Sequence, residues 1–189
     1  MSKSGWVWGL GLVVFGLMPL CVGRMPLCAD DKEKKPVNLV ANPSFEQTET
    51  LPVGWSLGGI AEGGRARLSA SEETPKAGRR CIRITGEAEW ATFVGNKIPV
   101  EKGKSYVLTG WVRVKKGTGY IKIDYFDKDK WLDMTMPEGT DSPEWTQQKV
   151  ETEADKLEKA THITATLVGA GEFEVYFDDI AIEAKPAQK

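Results

Sequence analysis

The chain has 189 residues, a formal net charge of −2 and no run of basic residues long enough to suggest a nucleic-acid partner. The part from Asp30 onward is long enough to form one domain with a real hydrophobic core. Its balance of charges is mildly acidic.

The first 29 residues have the pattern of a secretory signal peptide. Lys3 gives a basic start, residues 6–20 form an uncharged apolar run, and Ala29 precedes the acidic Asp30. We expect cleavage near Ala29 and a protein that is secreted or periplasmic. The apolar run is short for a membrane span, so no span is expected after cleavage, and an uncleaved N-terminal anchor is the alternative.

Cleavage would leave Cys81 as the only cysteine, so no intrachain disulfide can form. An exported domain of this kind must be held by its core, helped by a metal if one binds. The predicted organisation is a signal peptide at 1–29, a charged linker at 30–36, one β-domain at 37–184 and a polar tail at 185–189.

Short alternating runs, separated by Gly, Pro and Asp clusters, predict an all-β domain. In chain order, strands are expected at 38–40, 65–69, 80–85, 88–98, 105–114, 119–126, 146–152, 161–168 and 172–182. Residues 153–159 are the only helix-like piece, and a turn fits them equally well.

Alternation of side chains along a strand assigns the predicted faces. The inward set is apolar in three strands and includes Leu108, Ile123 and Leu167. The outward set mixes aromatic side chains with hydrogen-bonding groups. This pattern predicts two packed antiparallel sheets, a sandwich rather than a closed barrel.

Carboxylates near the two ends of the domain suggest a cation site. Glu46 follows a turn after the first strand, and Asp178 and Asp179 interrupt the apolar last strand. Buried carboxylates are costly unless they are paired or bind a cation, and Ca²⁺ prefers oxygen ligands. The alternative is that these carboxylates cap turns or pair with Arg79 and Arg80.

An ordered series of motifs gives the chain a family resemblance. It comprises Asn-Pro-Ser-Phe-Glu at 42–46, Pro-Val-Gly-Trp at 52–55, and the segments 77–84, 100–113 and 176–180. The series resembles the calcium-containing jelly-roll carbohydrate-binding modules appended to secreted cellulases and xylanases. The resemblance implies a galactose-binding-like jelly roll and a structural calcium that ties Glu46 to Asp178 or Asp179. It also implies a sugar groove across the concave face of one sheet.

Aromatic residues on the outward faces are the candidates for stacking on sugar rings, and Trp90, Phe126 and Trp131 are the strongest. Nearby polar groups would bond the sugar hydroxyls. The predicted ligand-binding set is Trp90, Trp111, Arg113, Tyr120, Asp124, Phe126, Trp131 and His162. For the lone His162, simple exposure or a neighbouring partner is the alternative. Trp55 and Trp145 are interpreted as packing residues.

The sequence therefore predicts a non-catalytic module that binds a polysaccharide or oligosaccharide. The alternative is a structural or protein-interaction sandwich of the cell envelope that has lost sugar binding, with other envelope proteins as partners. Glycoside hydrolysis needs two carboxylates opposed across the bond, and no pair of acids is marked out for that task. No phosphate loop, metal-hydrolase motif or nucleophile elbow is present in the sequence, so no enzyme is expected.

Overall fold

The computed structural model describes residues 37–47 and 52–187. These ranges are almost entirely β-structure, with a single short helix. The elements are β1 Ser56–Ile60, β2 Arg65–Ser71, β3 Cys81–Val94, β4 Ile98–Pro99, β5 Lys104–Asp127, β6 Lys130–Thr135, β7 Thr146–Glu151, α1 Ala154–Leu157 and β8 His162–Pro186.

Three long strands each contribute to both layers of a sandwich. β5 and β8 pair antiparallel from Lys104 opposite Pro186 to Phe126 opposite His162. Their outer neighbours change along the way, because β7 pairs with residues 107–112 of β5 and β6 with residues 123–127. β3 pairs with β8 in two stretches, separated by an irregularity between Ala88 and Ala91.

We call the two layers the front sheet and the back sheet. The front sheet contains β1, β4, β6 and the segments 91–94, 118–127 and 162–169. The back sheet contains β2, β7 and the segments 81–88, 104–114 and 171–186. All pairings between these strands are antiparallel, so the predicted all-β antiparallel sandwich is confirmed.

The core lies between the two sheets and is formed by the side chains predicted to point inward. Leu108 from the back sheet and Ile123 and Leu167 from the front sheet have no exposed surface. Gly110 leaves room for core side chains of both sheets, since an added Cβ would lie 2.5 Å from Cδ1 of Ile180 in the back sheet and 3.4 Å from Cδ1 of Ile121 in the front sheet. Burial of these aliphatic and aromatic side chains is the main force that holds the layers together.

Gly117 marks the point where β5 passes from one sheet to the other. Its φ is +74°, and an added Cβ would lie 2.6 Å from the carbonyl oxygen of Ala170. The pairing with β8 is irregular on both sides, between Val114 and Lys116 and between Lys116 and Thr118. A residue without a side chain permits both this backbone conformation and the close approach.

The first described segment, 37–47, lies along the end of β8. Leu39 N–H donates to the carbonyl of Ile182, while Asn38 Oδ1 accepts from Ile182 N–H and Asn38 Nδ2 donates to the carbonyl of Ile180. The predicted strand at 38–40 is irregular in the structure, because the Asn38 amide occupies positions that a backbone ladder would use. The first described segment nevertheless lies beside the last strand, as a cation site shared by Glu46 and that strand would require.

Several other strand boundaries also differ from the predicted ones. The pairs of strands expected at 105–114 and 119–126, and at 161–168 and 172–182, are each one continuous strand that bends between sheets. The segments expected at 80–85 and 88–98 are β3 and the short β4. β1 and β6 were not predicted, and β1 contains two glycines, which are poor strand formers.

Some predicted features lie outside the described residues. The signal peptide at 1–29 and the charged linker at 30–36 lie outside the described residues and stay predictions.

β8 continues through Lys185 and Pro186, which pair with Ser105 and Lys104, so it reaches into the predicted tail. The one described helix, Ala154–Leu157, is too short and too polar to cross a membrane.

Candidate functional site

A groove of about 870 Å³ runs over the outer face of the front sheet. Its walls come from β1 and β3 on one side and from β6 on the other, and its floor comes from β5 and β8. The lining residues are Leu57, Gly58, Gly59, Glu89, Trp90, Thr92, Val94, Tyr120, Lys122, Asp124, Phe126, Trp131, Met134 and Val168.

Two exposed tryptophans stand on opposite walls of this groove. Trp90 lies on β3 and is 42% exposed, and Trp131 lies on β6 and is 50% exposed. The strand order β3–β8–β5–β6 places three strand spacings between them, about 14 Å across the sheet. Large aromatic surfaces left in water beside a polar floor are typical of a binding site rather than of packing.

Phe126, on the floor of the groove, belongs to a stacked pair of rings. Phe126 and His162 face each other in register on β5 and β8, with ring centroids 5.0 Å apart and an angle of 2° between the planes. Burial lowers the pKa of His162, and the nearby positive charge of Lys97 adds to this effect. The imidazole is therefore favoured in its neutral form in the folded protein.

A buried ion pair forms the polar part of the floor. Lys122 Nζ donates to Oδ1 of Asp124 at 2.8 Å, and both side chains are almost completely covered. Asp124 also accepts from Trp131 Nε1 at 3.0 Å and from Thr166 Oγ1 at 2.6 Å. Three donors therefore fix the carboxylate, and the carboxylate in turn fixes the Trp131 ring.

The ammonium of Lys122 is less fully bonded than the carboxylate. Besides Asp124, its one further contact among the described residues is the Sδ atom of Met134, at 3.6 Å. A lysine ammonium has three N–H donors, and a thioether is a weak acceptor. At least one N–H group of this buried ammonium thus has no strong acceptor within residues 37–47 and 52–187.

The structure brings most of the predicted ligand-binding residues together. Trp90, Tyr120, Asp124, Phe126 and Trp131 line the groove, and His162 stacks on Phe126. Sequence reasoning did not select Lys122, Thr166 or Met134. The only available signal was the outward parity of Lys122 and Thr166, which sit on the same strand faces as Asp124.

Trp111 and Arg113 require a correction, because neither belongs to this groove. They lie on the back-sheet half of β5, opposite Asp178 and Tyr176 of β8. Lys76 Nζ lies 4.0 Å from the Trp111 ring centroid. Cζ of Arg113 lies 5.5 Å from the ring centroid of Trp145 and 4.5 Å from that of Tyr176. Alternation predicted outward positions in both halves of β5, yet the strand changes sheet, so the two outward faces are different surfaces.

Two of the three carboxylates predicted to bind calcium, Glu46 and Asp178, contact one loop, residues 72–80, which runs beside the back sheet. Asp178 is fully buried, and its Oδ2 accepts from the backbone N–H groups of Lys76 at 2.8 Å and Ala77 at 3.1 Å. Glu46 Oε1 accepts from the N–H groups of Arg79 at 2.9 Å and Arg80 at 3.0 Å. The loop thus offers N–H donors to both carboxylates, where a cation site would need oxygens.

Burial raises the pKa of Asp178 to about 6, although the backbone N–H donors act in the opposite direction. Asp179 adopts a φ of +47°, and its N–H donates to Asp178 Oδ1. Within the described ranges no group of three or more His, Cys, Asp or Glu side chains is placed to hold a metal. The arrangement is a hydrogen-bonded clamp of the loop, and calcium binding there stays a prediction.

A second cavity, of about 820 Å³, lies beside α1 and the paired ends of β5 and β8. Its described lining combines Lys, Glu and aliphatic side chains and includes no aromatic ring. The groove on the front sheet is therefore the better candidate for a ligand that is recognised by stacking.

Comparisons with known proteins identify a family for the chain and a set of solved structures with a similar fold. The carbohydrate binding domain family matches residues 37–166 of the chain. No protein of curated function matches the sequence.

Several solved structures share the fold. One is the xylan-binding CBM22-1 domain of Xyn10C from Paenibacillus barcinonensis, with a TM-score of 0.60, 15% identity, and coverage of 82% of this chain and 99% of that one. Another is a family 16 carbohydrate binding module, with a TM-score of 0.55, 17% identity, and coverage of 77% and 99%.

An enzyme also appears among the similar structures. A cyclase from a Fischerella species has a TM-score of 0.57 and 16% identity, with coverage of 80% of this chain and 97% of the cyclase. At such low identity these likenesses show a shared fold alone. The jelly-roll scaffold therefore accommodates both binding modules and at least one enzyme, and the function must be argued from the groove.

Proposed function

Because the chain belongs to the family of carbohydrate binding domains, we propose that it binds a glycan in the groove of the front sheet. The observation that carries the proposal is the placement of Trp90 and Trp131, two half-exposed indoles on opposite walls of a groove with a polar floor. The ligand is a polysaccharide or oligosaccharide that extends between them.

Stacking supplies the first part of the proposed affinity. A pyranose ring has faces of C–H groups that pack on an aromatic plane, as apolar surfaces do. The indoles of Trp90 and Trp131 are available for this contact. The Trp131 ring is also pre-oriented by its hydrogen bond to Asp124. A side chain already held in its bound orientation loses less conformational entropy when the ligand arrives.

Polar groups on the floor supply the second part. Asp124, Lys122 and the hydroxyl of Tyr120 line the groove between the two walls. Sugar hydroxyls both donate and accept hydrogen bonds, so a floor with a carboxylate and an ammonium can match them. The xylan-binding domain among the similar structures makes xylan a sensible early probe.

We propose binding without catalysis. Among the described residues that line the groove, the carboxylates are Asp124 and Glu89. Asp124 already accepts from Lys122, Trp131 and Thr166, which leaves it poorly placed to act as a nucleophile or to exchange protons with a substrate. Hydrolysis would need a second carboxylate opposed to it across the scissile bond.

The proposed place of action is outside the cytoplasm, in the secreted or periplasmic space. The apolar run and the small residue at Ala29 support this part of the proposal, as does the family to which the chain belongs. Mass spectrometry of the exported protein tests it. The expected N-terminus is near Asp30, and recovery of intact Met1 in the cytoplasm would overturn the export proposal.

A glycan screen with matched tryptophan variants tests the binding proposal. The purified protein is screened on a glycan array and against insoluble and soluble polysaccharides, and each hit is measured by calorimetry. Trp90→Ala and Trp131→Ala should each weaken binding by about 1–3 kcal/mol, the size of one base–aromatic stacking contact. Far-ultraviolet circular dichroism confirms that the variants fold.

Trp145→Ala is the matched control. Trp145 is half-buried beside the back sheet, where its Nε1 donates to the carbonyl of Thr74. It should leave glycan affinity unchanged. The proposal fails if no glycan binds, or if the control weakens binding as much as the two groove variants do.

A further inference from the structure

We infer that Gly59 is a positioning residue of the proposed glycan site, because it places no side chain where the ring of Trp90 lies against β1. The inference rests on the proposed function and adds to it a residue that acts on the ligand only through Trp90. Sequence reasoning assigned no role to Gly59.

An irregularity in β3 turns Trp90 toward the groove. Between Ala88 and Ala91, β3 advances three residues while its partner β8 advances two. One extra residue in a strand is a β-bulge, which re-aims the side chains beside it. Glu89 and Trp90 are consecutive, yet both line the groove.

From this position the ring of Trp90 reaches diagonally over β1. Gly59 pairs with Thr92, two residues beyond Trp90, and the two strands are antiparallel. Diagonal neighbours of this kind are within reach of an aromatic side chain. A Cβ added to Gly59 would lie 3.3 Å from Cζ3 and 3.6 Å from Cη2 of Trp90. The benzene edge of the indole therefore packs on the position that a side chain at residue 59 would occupy.

Even a methyl group at residue 59 would displace this ring. Two carbon atoms pack best at about 3.5–4.0 Å, so a contact of 3.3 Å forces one partner to move by a few tenths of an ångström. The backbone of β1 is held by its pairing with β3. Trp90 is 42% exposed, so its ring is the partner that is free to shift.

Glycine at this position is not required by the fold. Glycine is depleted in strands, because it loses more backbone entropy than other residues and has no side chain to pack. Neither Gly58 nor Gly59 has a positive φ. The pairing is irregular between Leu57 and Gly59, which accounts for Gly58, whereas Gly59 itself pairs with Thr92. The packing of the Trp90 ring is the feature that a side chain at residue 59 would disturb.

Gly59→Ala separates positioning from folding. The variant should melt close to the wild-type temperature, because alanine is the better strand residue. It should bind glycan about fivefold more weakly or worse, the lower end of one stacking contact. The probe is xylohexaose or cellohexaose, whichever the wild-type protein binds more tightly, measured by calorimetry. The indole N–H signal of Trp90 in the free variant should also shift in a ¹⁵N spectrum.

Gly95→Ala is the matched control, because it makes the same substitution beside another indole. A Cβ added to Gly95 would lie 3.4 Å from Cη2 of Trp55, which is buried in the core. This variant should shift the Trp55 signal and leave glycan affinity unchanged. An equal loss of affinity in both glycine variants would overturn the inference, since the effect would then not belong to the groove.

A double-mutant cycle with Trp90→Ala tests whether Gly59 acts through the ring. A residue that only positions Trp90 has no effect once the ring is gone, so adding Gly59→Ala to Trp90→Ala should not weaken binding further. The same fold-loss in both backgrounds would show that the added methyl group acts independently of Trp90, and would overturn the inference.

The outcomes also separate this inference from the function on which it rests. Wild-type binding that Trp90→Ala weakens and Gly59→Ala leaves unchanged overturns the positioning role alone. If the wild-type protein binds neither hexasaccharide nor any polysaccharide of the screen, the proposed function fails, and the inference fails with it.

Discussion

The indole N–H of Trp131 donates a 3.0 Å hydrogen bond to Oδ1 of Asp124, the same oxygen that accepts from the Lys122 ammonium. The exposed ring on the groove wall is thereby tied to a buried ion pair on the floor. The carboxylate that neutralises the buried ammonium therefore also orients one ring of the proposed glycan-binding groove.

Asp124→Ala should be strongly destabilising, by about 3–5 kcal/mol, because it leaves the covered Lys122 ammonium without its counter-ion. The double variant Lys122→Met/Asp124→Leu should recover most of that loss, because apolar side chains of similar size remove the desolvation cost altogether. Urea unfolding of the three proteins measures both effects. A double variant as unstable as Asp124→Ala would contradict the assignment of a buried pair.

Trp111→Ala should leave glycan affinity unchanged. Trp111 lies on the back-sheet half of β5, and its ring contacts Lys76 of the 72–80 loop. The variant should lose stability instead, by about 1 kcal/mol from the lost cation–π contact and packing. Calorimetry with the best glycan and a thermal melt provide the two readouts. Loss of binding at unchanged stability would return Trp111 to the binding surface.

The behaviour of Trp111 shows how far the sequence could predict the site. Alternation correctly assigned the core positions, among them Leu108 and Ile123, because period-2 patterning directly reflects which face of a sheet is buried. It could not reveal that β5 changes sheet near Gly117, because a bend inside a strand has the same glycine signal as a turn. The groove was therefore predicted to be continuous across two different surfaces.

The ion pair on the floor was missed for a different reason. An outward Lys122 on a strand is normally solvated, and nothing in its immediate neighbours distinguishes it. It is covered because β6 brings Trp131 and Met134 over it. β6 is a short strand that patterning did not predict, and burial imposed by an unpredicted element cannot be inferred from the buried residue itself.

His162 gives the protein a specific pH dependence. Burial and Lys97 lower its pKa below the ordinary value of 6.5, so the unfolded chain takes up a proton more readily than the folded one does. The stability that neutral His162 contributes is then fully present above pH 6.5 and is lost as the pH falls through the lowered folded pKa.

A comparison of wild type with His162→Gln isolates this contribution. Urea midpoints are measured for both proteins at pH 7.5 and pH 5.5, where the carboxylates common to both contribute equally. Wild type should lose more stability between the two pH values than the variant. Equal losses would show that His162 protonation is not coupled to folding.

The predicted calcium is tested by its effect on melting. If an ion ties Glu46 to Asp178 or Asp179, chelator should lower Tm and calcium should restore it, by about 2.7 kcal/mol of stabilisation when calcium is a hundredfold above its dissociation constant. Magnesium should substitute poorly, because it needs a tighter octahedral shell. Glu46→Ala should cease to respond.

The hydrogen-bonded clamp makes the opposite result equally informative. Glu46 and Asp178 each accept two N–H groups from the 72–80 loop, and these bonds hold the loop without an ion. Identical melting curves in chelator and in calcium, together with no calcium by elemental analysis, would show that these hydrogen bonds hold the loop without an ion. Glu46→Ala would then lower Tm in both conditions.

The most direct test of glycan binding in the groove is a titration of ¹⁵N-labelled protein with xylohexaose and cellohexaose, observed at the indole N–H signals. Variants in which one tryptophan at a time is replaced by phenylalanine assign each signal to its residue. We predict that the Trp90 and Trp131 signals shift in a saturable manner, while those of Trp55 in the core and Trp145 beside the back sheet stay in place. Saturable shifts confined to Trp111 and Trp145, or no shift at any indole, would contradict a binding groove on the front sheet.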